Sequence, residues 1–196
     1  MIVLASTSTI RRHLLRQAGL TFKTARPPVD EGEVKSSLRA AAATANFVAE
    51  TLAERKAVGV AEILPAAFVI GVDQMLECEN RWFDKPTDRA AAREQLQALR
   101  GKTHQVITAA ALCAEGKLAW QYCETAELTM RDFSDRFLDR YLELVGEAAL
   151  RSVGGYHLEG LGAQLFDRIK GDYFTILGLP MIPLLNALRQ AGALPE

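Results

Sequence analysis

Cysteine, histidine and net charge are all scarce in this chain of 196 residues. Its three cysteines, Cys78, Cys113 and Cys123, are odd in number and lack CxxC spacing, which points away from a zinc or redox motif and toward reduced, structural thiols. Its three histidines, His13, His104 and His157, are widely scattered and form no His-Glu-x-x-His pattern, so neither a zinc site nor a nucleophile–histidine pair is marked. A formal charge of −1 argues against a surface built to hold DNA or RNA by counterion release, while leaving room for a site-sized phosphate ligand. No apolar run approaches the ~20 residues that span a bilayer. The apolar opening Met1–Ala5 turns polar at Ser6, too early for a secretory signal. The expectation is a soluble cytoplasmic protein with no membrane partner. Internal repeats and low-complexity linkers are missing as well.

What is present is an ordinary globular composition, 49% hydrophobic and 24% charged, enough for one sizeable core or two small lobes. Residues 2–5 read as a buried strand, followed by a polar turn and a helix with Ser8 as N-cap and Gly19 as stop. Pro27-Pro28 breaks the next stretch, and residues 30–33 form an acidic loop before a long Ala-rich helix over 36–61. A continuously apolar strand over 66–72 ends at Asp73, and residues 74–78 and 81–83 suggest a hairpin. Thr87 caps a helix to Leu99, and strands over 106–113 and 118–130 flank Glu115-Gly116-Lys117. Ser134 begins an amphipathic helix to Val145; a glycine-rich region over 154–162, a strand over 164–169 and a closing helix with Pro180 at its first position follow. This alternation indicates a mixed α/β protein.

Two glycine motifs fail. Gly101-Lys102-Thr103 has Leu96 where a phosphate-binding P-loop needs glycine, and a helix rather than a strand before it. Gly160-Leu161-Gly162 lacks the third glycine of a dinucleotide fingerprint at Leu165.

The residues that carry chemistry lie elsewhere. Ser6, Ser8 and Arg11 occupy a strand-to-helix junction, where unpaired N–H groups and the helix dipole favour an anion; the plainer reading is a capped helix beside a solvated arginine. Asp73, ending an apolar strand, stands where open α/β sheets place ligands, and Gly71 on the same face leaves space there. With Glu31 it could hold one Mg²⁺, which keeps several waters and contacts substrate phosphates. Taken singly, Asp73 also fits a strand-end turn and Glu31 a solvated surface charge. Lys56 and Lys85 would neutralise charge that accumulates on a phosphate in the transition state, although each alone reads as a surface lysine.

Eight ordered blocks then resemble the Maf family of nucleoside triphosphate pyrophosphatases, historically called septum formation inhibitors. They run through Leu4-Ala5-Ser6-Thr7-Ser8-Thr9-Ile10-Arg11, Val29-Asp30-Glu31, Ala53-Glu54-Arg55-Lys56-Ala57 and Ile70-Gly71-Val72-Asp73-Gln74. Lys85-Pro86, Arg100-Gly101-Lys102-Thr103-His104 and Gly154-Gly155-Tyr156-His157-Leu158-Glu159-Gly160 continue them, and Gly171-Asp172-Tyr173 through Gly178-Leu179-Pro180 closes the match. The resemblance implies an α/β fold similar to inosine triphosphate pyrophosphatases, an elongated mixed sheet flanked by helices with two lobes around a nucleotide cleft, as a single domain over 1–196. It implies Asp73 as catalytic base, Glu31 and Asp73 as contacts for Mg²⁺ or Mn²⁺, and Ser6, Arg11, Lys56 and Lys85 as the phosphate-binding set. The expected reaction cleaves an NTP between its α and β phosphates to NMP and pyrophosphate, cleansing the nucleotide pool and bearing on cell-division arrest. A homodimer is plausible from the family. Specificity positions are Ile10, Gln74 and Glu159: Gln74 and Glu159 resemble the 7-methyl-GTP type, whereas Ile10 departs from both that type and the dTTP/UTP type. The competing readings are a dTTP/UTP-preferring pyrophosphatase, a non-catalytic nucleotide-binding regulator of septum formation, and another metal-dependent phosphohydrolase.

Overall fold

The computed structural model describes residues 1–195 as a mixed α/β protein. In chain order its elements are β1 (Ile2–Ala5), α1 (Thr9–Gln17), β2 (Phe22–Thr24), α2 (Glu31–Ala40), α3 (Ala45–Ala61), β3 (Phe68–Cys78) and β4 (Arg81–Phe83). Then come α4 (Arg89–Leu99), β5 (Thr103–Ala114), β6 (Lys117–Met130), α5 (Asp135–Val145), β7 (Phe166–Lys170), α6 (Tyr173–Ile176) and α7 (Met181–Gln190). The seven strands form one sheet in the order β2-β1-β3-β5-β6-β7, with β4 paired to β3. The chain divides into two compact units. The first holds Met1–Gln74, Ile107–Glu124 and the segment from Gly178 onward; the second holds Met75–Val106 and Thr125–Leu177. Strands β3, β5 and β6 each pass from one unit into the other. Among the described residues no helix is long and apolar enough to cross a membrane.

In the first unit β1 is buried along its whole length and pairs in parallel on both sides, Ile2 with Phe22 and Phe68, and Ala5 with Gly71. A strand so enclosed needs the continuous apolar run its sequence supplies. Helix α3 covers β3 closely because Ala45, Ala49, Ala53, Ala57 and Ala61 recur every fourth residue on its buried face. Gly71 completes that approach: a Cβ there would lie 2.1 Å from the Ala53 carbonyl oxygen and 2.5 Å from the Ala57 nitrogen. The space expected beside Gly71 is therefore filled by helix backbone.

Several expectations in this unit need correction. The predicted single helix over 36–61 is two helices, and Glu31 stands in the first turn of α2 rather than in an acidic loop, with Asp30 accepting the Glu33 N–H at 3.0 Å as N-cap. Helix α2 ends in a Schellman closure, the Ala43 N–H bonding the Leu38 carbonyl and Ala42 taking φ 53°, before Thr44 caps α3. Glycine normally holds that left-handed position, and an alanine there gives no compositional sign of the break. Strand β3 likewise runs through Asp73 to Cys78 instead of ending at the carboxylate. Its charge is matched from α3, so burial of Asp73 does not end the strand.

The second unit builds its own core from Leu76, Leu96, Leu128, Met130, Leu138 and Tyr156 with their neighbours. Residues 76–78 pair antiparallel with β4 through a tight turn in which Glu79 and Asn80 both have positive φ. The cap of α4 is Asp88, whose carboxylate accepts the Ala91 N–H at 2.8 Å, not Thr87. Ser134 caps α5 as expected. Strand β7 begins at Phe166, because residues 161–165 coil into a 3-10 turn. In the first unit Pro180 precedes the first residue of α7, taking the cap position itself.

Candidate functional site

The site grows from the end of β1. Where that strand stops, Ser8 turns extended and its Oγ accepts the Arg11 N–H at 3.5 Å, while Ser6 Oγ accepts the Ser8 N–H at 3.2 Å. The first turn of α1 is thus tied to the strand it leaves. Arg11 lies in that turn and folds back: its Nε donates to the Gly178 carbonyl at 2.8 Å, and its Nη1 to the Val72 carbonyl at 2.9 Å and to Ser6 Oγ at 3.4 Å. Burial pulls the guanidinium pKa down, opposed by the negative charges of Asp73 and Glu31. The arginine expected to grip a phosphate is, on these contacts, a clamp between α1, β3 and the segment entering α7.

One residue past Val72 the Asp73 side chain turns to α3. Lys56 is buried there, and its Nζ lies 2.6 Å from Asp73 Oδ1 and 2.7 Å from Glu31 Oε1. A single ammonium joins a carboxylate from β3 to one from the first turn of α2. The closeness of α3 to Gly71 is what brings this lysine within reach. Burial pushes the Glu31 pKa up, but the charge and hydrogen bond of Lys56, with Lys35 and Arg11 behind them, hold it below the usual carboxylate value. Asp73 Oδ2 is buried and has no hydrogen-bond partner. Such an orphan costs free energy and calls for a purpose.

Two carboxylates, one with an unpaired buried oxygen, form a hard donor set that suits a divalent cation completing its shell with water and phosphate oxygens. Among the described residues no third His, Cys, Asp or Glu joins them, so the arrangement fits a shared substrate–metal site and not an all-protein cage. Glu31 and Asp73 are the residues that would hold the ion.

Next on β3, Gln74 is half-buried and donates through Nε2 to Thr108 Oγ1 on β5 at 3.0 Å. Thr108 is fully buried and was missed; as the one hydroxyl inside the apolar run over 106–113 it carried a signal. Ile10 is half-buried in the first turn of α1. Gly178 went unassigned too, yet its φ of 96° presents the carbonyl that seats Arg11, and a Cβ there would stand 3.5 Å from the Gln74 side chain. The first unit therefore gathers Ser6, Ser8, Arg11, Glu31, Lys56, Asp73 and Gln74. Lys85 and Glu159 belong to the second unit, Lys85 exposed between β4 and α4, and Glu159 exposed in the turn after Tyr156, with its carboxylate 3.4 Å from His157 Nδ1.

An arginine clamp, a buried lysine and two carboxylates thus meet beside the parallel strands β1 and β3 of an α/β protein, with no nucleophile–histidine pair in the cluster. The family model described as Maf-like protein matches residues 1–191, and the chain belongs to that family. It is 53% identical over 192 residues to a nucleoside triphosphate pyrophosphatase of Paramagnetospirillum magneticum, covering 98% of this chain and 99% of the relative. A 7-methyl-GTP pyrophosphatase of Brucella abortus is 49% identical over 189 residues, 96% of this chain and 95% of its own. A 7-methyl-GTP pyrophosphatase of Rhizobium meliloti is 47% identical over 194 residues, 99% and 98% of the two chains.

Proposed function

We propose that this chain is a hydrolase that cleaves nucleoside triphosphates between the α and β phosphates, releasing a nucleoside monophosphate and pyrophosphate. The observation that carries the reading is the Asp73 carboxylate, buried in the first unit with Oδ1 fixed by Lys56 and Oδ2 left unpaired. The names of relatives at 53% and 49% identity support the same bond class. Asp73 Oδ2 takes a proton from a water whose oxygen bonds to the α-phosphorus; the bond to the pyrophosphate oxygen breaks, and its electron pair leaves with the pyrophosphate. Lys56 orients the acid, and the Ser6 and Ser8 hydroxyls at the start of α1 can donate to phosphate oxygens beside the positive end of the helix dipole. Arg11 holds that turn against β3 and lends its charge from behind. Mg²⁺ or Mn²⁺, held by Glu31 and Asp73, supplies charge neutralisation for the polyphosphate when bound.

Lys85 adds a further cation for the phosphates, and the preferred base is 7-methylguanine. A carboxylate at Glu159 can accept from the N1–H and the exocyclic amine of a guanine, and Gln74 offers a second polar contact; two of the relatives carry 7-methyl-GTP in their names. Ile10 supplies apolar contact in place of an aromatic platform. Incubation with a panel of NTPs and Mg²⁺ or Mn²⁺, followed by chromatography, tests the reading. Monophosphate and pyrophosphate in equal amounts are expected, with the highest kcat/KM for 7-methyl-GTP; release of orthophosphate overturns the bond assignment, and a clear win for UTP or dTTP overturns the base.

A further inference from the structure

The segment carrying Glu159 is tied into the second unit by hydrogen bonds and ring packing. Gly154 and Gly155 both take φ 76°, and the Tyr141 hydroxyl donates to the Gly155 carbonyl at 3.3 Å. Tyr156 is buried with its hydroxyl 2.7 Å from His104 Nε2 and its ring edge-on to Phe166 at 4.9 Å. After it the chain turns back on itself: the Gly160 N–H donates to the His157 carbonyl at 3.2 Å, and a Cβ at Gly162 would fall 2.4 Å from that same oxygen. His157 and Glu159 project from this closed turn.

The two nitrogens of His157 have different partners. Nε2 is 2.9 Å from the Ala148 carbonyl oxygen, and Nδ1 is 3.4 Å from Glu159 Oε1. A carbonyl only accepts, so the first contact requires a hydrogen on Nε2. The neutral ring would then aim the bare Nδ1 lone pair at a carboxylate oxygen, and the two would repel. Only the imidazolium satisfies both contacts.

We propose that His157 is a positioning residue: as an imidazolium anchored on the Ala148 carbonyl it holds the Glu159 carboxylate in the orientation that reads a guanine edge, and base discrimination is lost when the ring loses its proton. The inference rests on the reading of Glu159 given above and adds His157 to it. The charges facing the pair are few. The Glu159 hydrogen bond, opposed by burial and by Arg151 and helped by the Ala148 carbonyl, holds the His157 pKa above the ordinary imidazole value. The hydrogen bond from His157 in turn holds Glu159 below the ordinary carboxylate value, and Tyr141, whose pKa burial and the Glu159 charge push up, stays neutral across the range that matters. Discrimination is therefore full below the raised pKa of His157 and declines as pH rises through it.

Two measurements on the whole protein test this together. NMR titration of the His157 ring is expected to give an apparent pKa above 6.5 in the wild type that drops in Glu159→Gln. The ratio of kcat/KM for 7-methyl-GTP over UTP, followed from pH 5.5 to 9, is expected to fall about fivefold on the alkaline side in the wild type. In His157→Gln, whose amide can still donate to the Ala148 carbonyl, the ratio is expected to be low and to lose that step. Ionisation of the base itself enters every variant's profile and drops out of the comparison. An unshifted His157 in Glu159→Gln overturns the pairing. If Glu159→Gln collapses the ratio while His157→Gln keeps both ratio and profile, positioning by His157 is wrong and the reading of Glu159 stands. If Glu159→Gln leaves the ratio unchanged, the reading of Glu159 itself fails and the proposal falls with it.

Discussion

Lys56 is a cation placed where an isolated charge would be costly, and its two carboxylate partners make the burial tolerable. The same contact fixes one oxygen of Asp73 and leaves the other unpaired, which is the arrangement the proposed proton transfer requires. His104 shows the opposite solution for a buried titratable group. Burial in the second unit pushes its imidazole down to about 4, so it stays neutral, with Nε2 on the Tyr156 hydroxyl and Nδ1 without a partner. In the unfolded chain the ring takes up its proton near pH 6.5, so stability is full above that value and declines as pH falls toward 4. We expect this acid limb in urea midpoints, and expect His104→Gln, which keeps a partner for Tyr156 but cannot titrate, to flatten it; an unchanged limb would place the titration elsewhere. Part of the candidate site was legible, since Ser6, Ser8 and Arg11 stand at a strand-to-helix junction and Glu31 near a helix start, whereas Asp73 drew notice only as a charge in an apolar run and Lys56, inside α3, read as a surface lysine. Their partners were not. The bond from Arg11 to Val72 spans 61 positions and that from Lys56 to Asp73 spans 17, and only tertiary packing decides them.

At the scale of elements, the contact between α3 and β3 matters most for function. The alanine ridge and Gly71 let helix backbone meet strand backbone, and Lys56 reaches Asp73 as a result. Gly71→Ala forces that contact open, since the new methyl would collide with the Ala53 carbonyl and the Ala57 nitrogen, neither of which can rotate away. We expect a loss of roughly 2 to 3 kcal/mol in unfolding free energy, as for an overpacked core, together with a lower kcat, because Lys56 must withdraw with its helix. A variant with wild-type stability and kcat would show that the approach is not needed. The apolar period of most helices was readable, as were Ser8, Gly19 and Ser134 at their ends. The break between α2 and α3 was not, because alanine favours helix on both sides and Ala42 occupies a conformation that alanine rarely adopts. Strand β3 was cut short for a related reason: a charge ends an apolar run only when nothing pairs with it, and the pairing lysine lies on another element.

On the scale of the whole molecule, three strands are common to both units, so neither unit has a complete sheet of its own. We expect one cooperative unfolding transition, consistent with a single domain. The two tryptophans report on it separately, Trp120 from the first unit and Trp82 from the second. In variants retaining one or the other, urea transitions followed by fluorescence should coincide, and separated midpoints would mark two domains. The α/β class and the family resemblance were readable from ordered blocks along the chain, and the match over residues 1–191 agrees with them. The division into units was hidden because most of its boundaries fall within strands β3, β5 and β6. In the proposed reaction Asp73, fixed by the lysine that also binds Glu31, is the reactive acid of a nucleoside triphosphate pyrophosphatase. The most direct test of that role is kcat of Asp73→Asn at saturating NTP and Mg²⁺, with folding checked by circular dichroism: a loss of about a thousandfold in a folded protein is expected, and a folded variant within tenfold of wild type would contradict it.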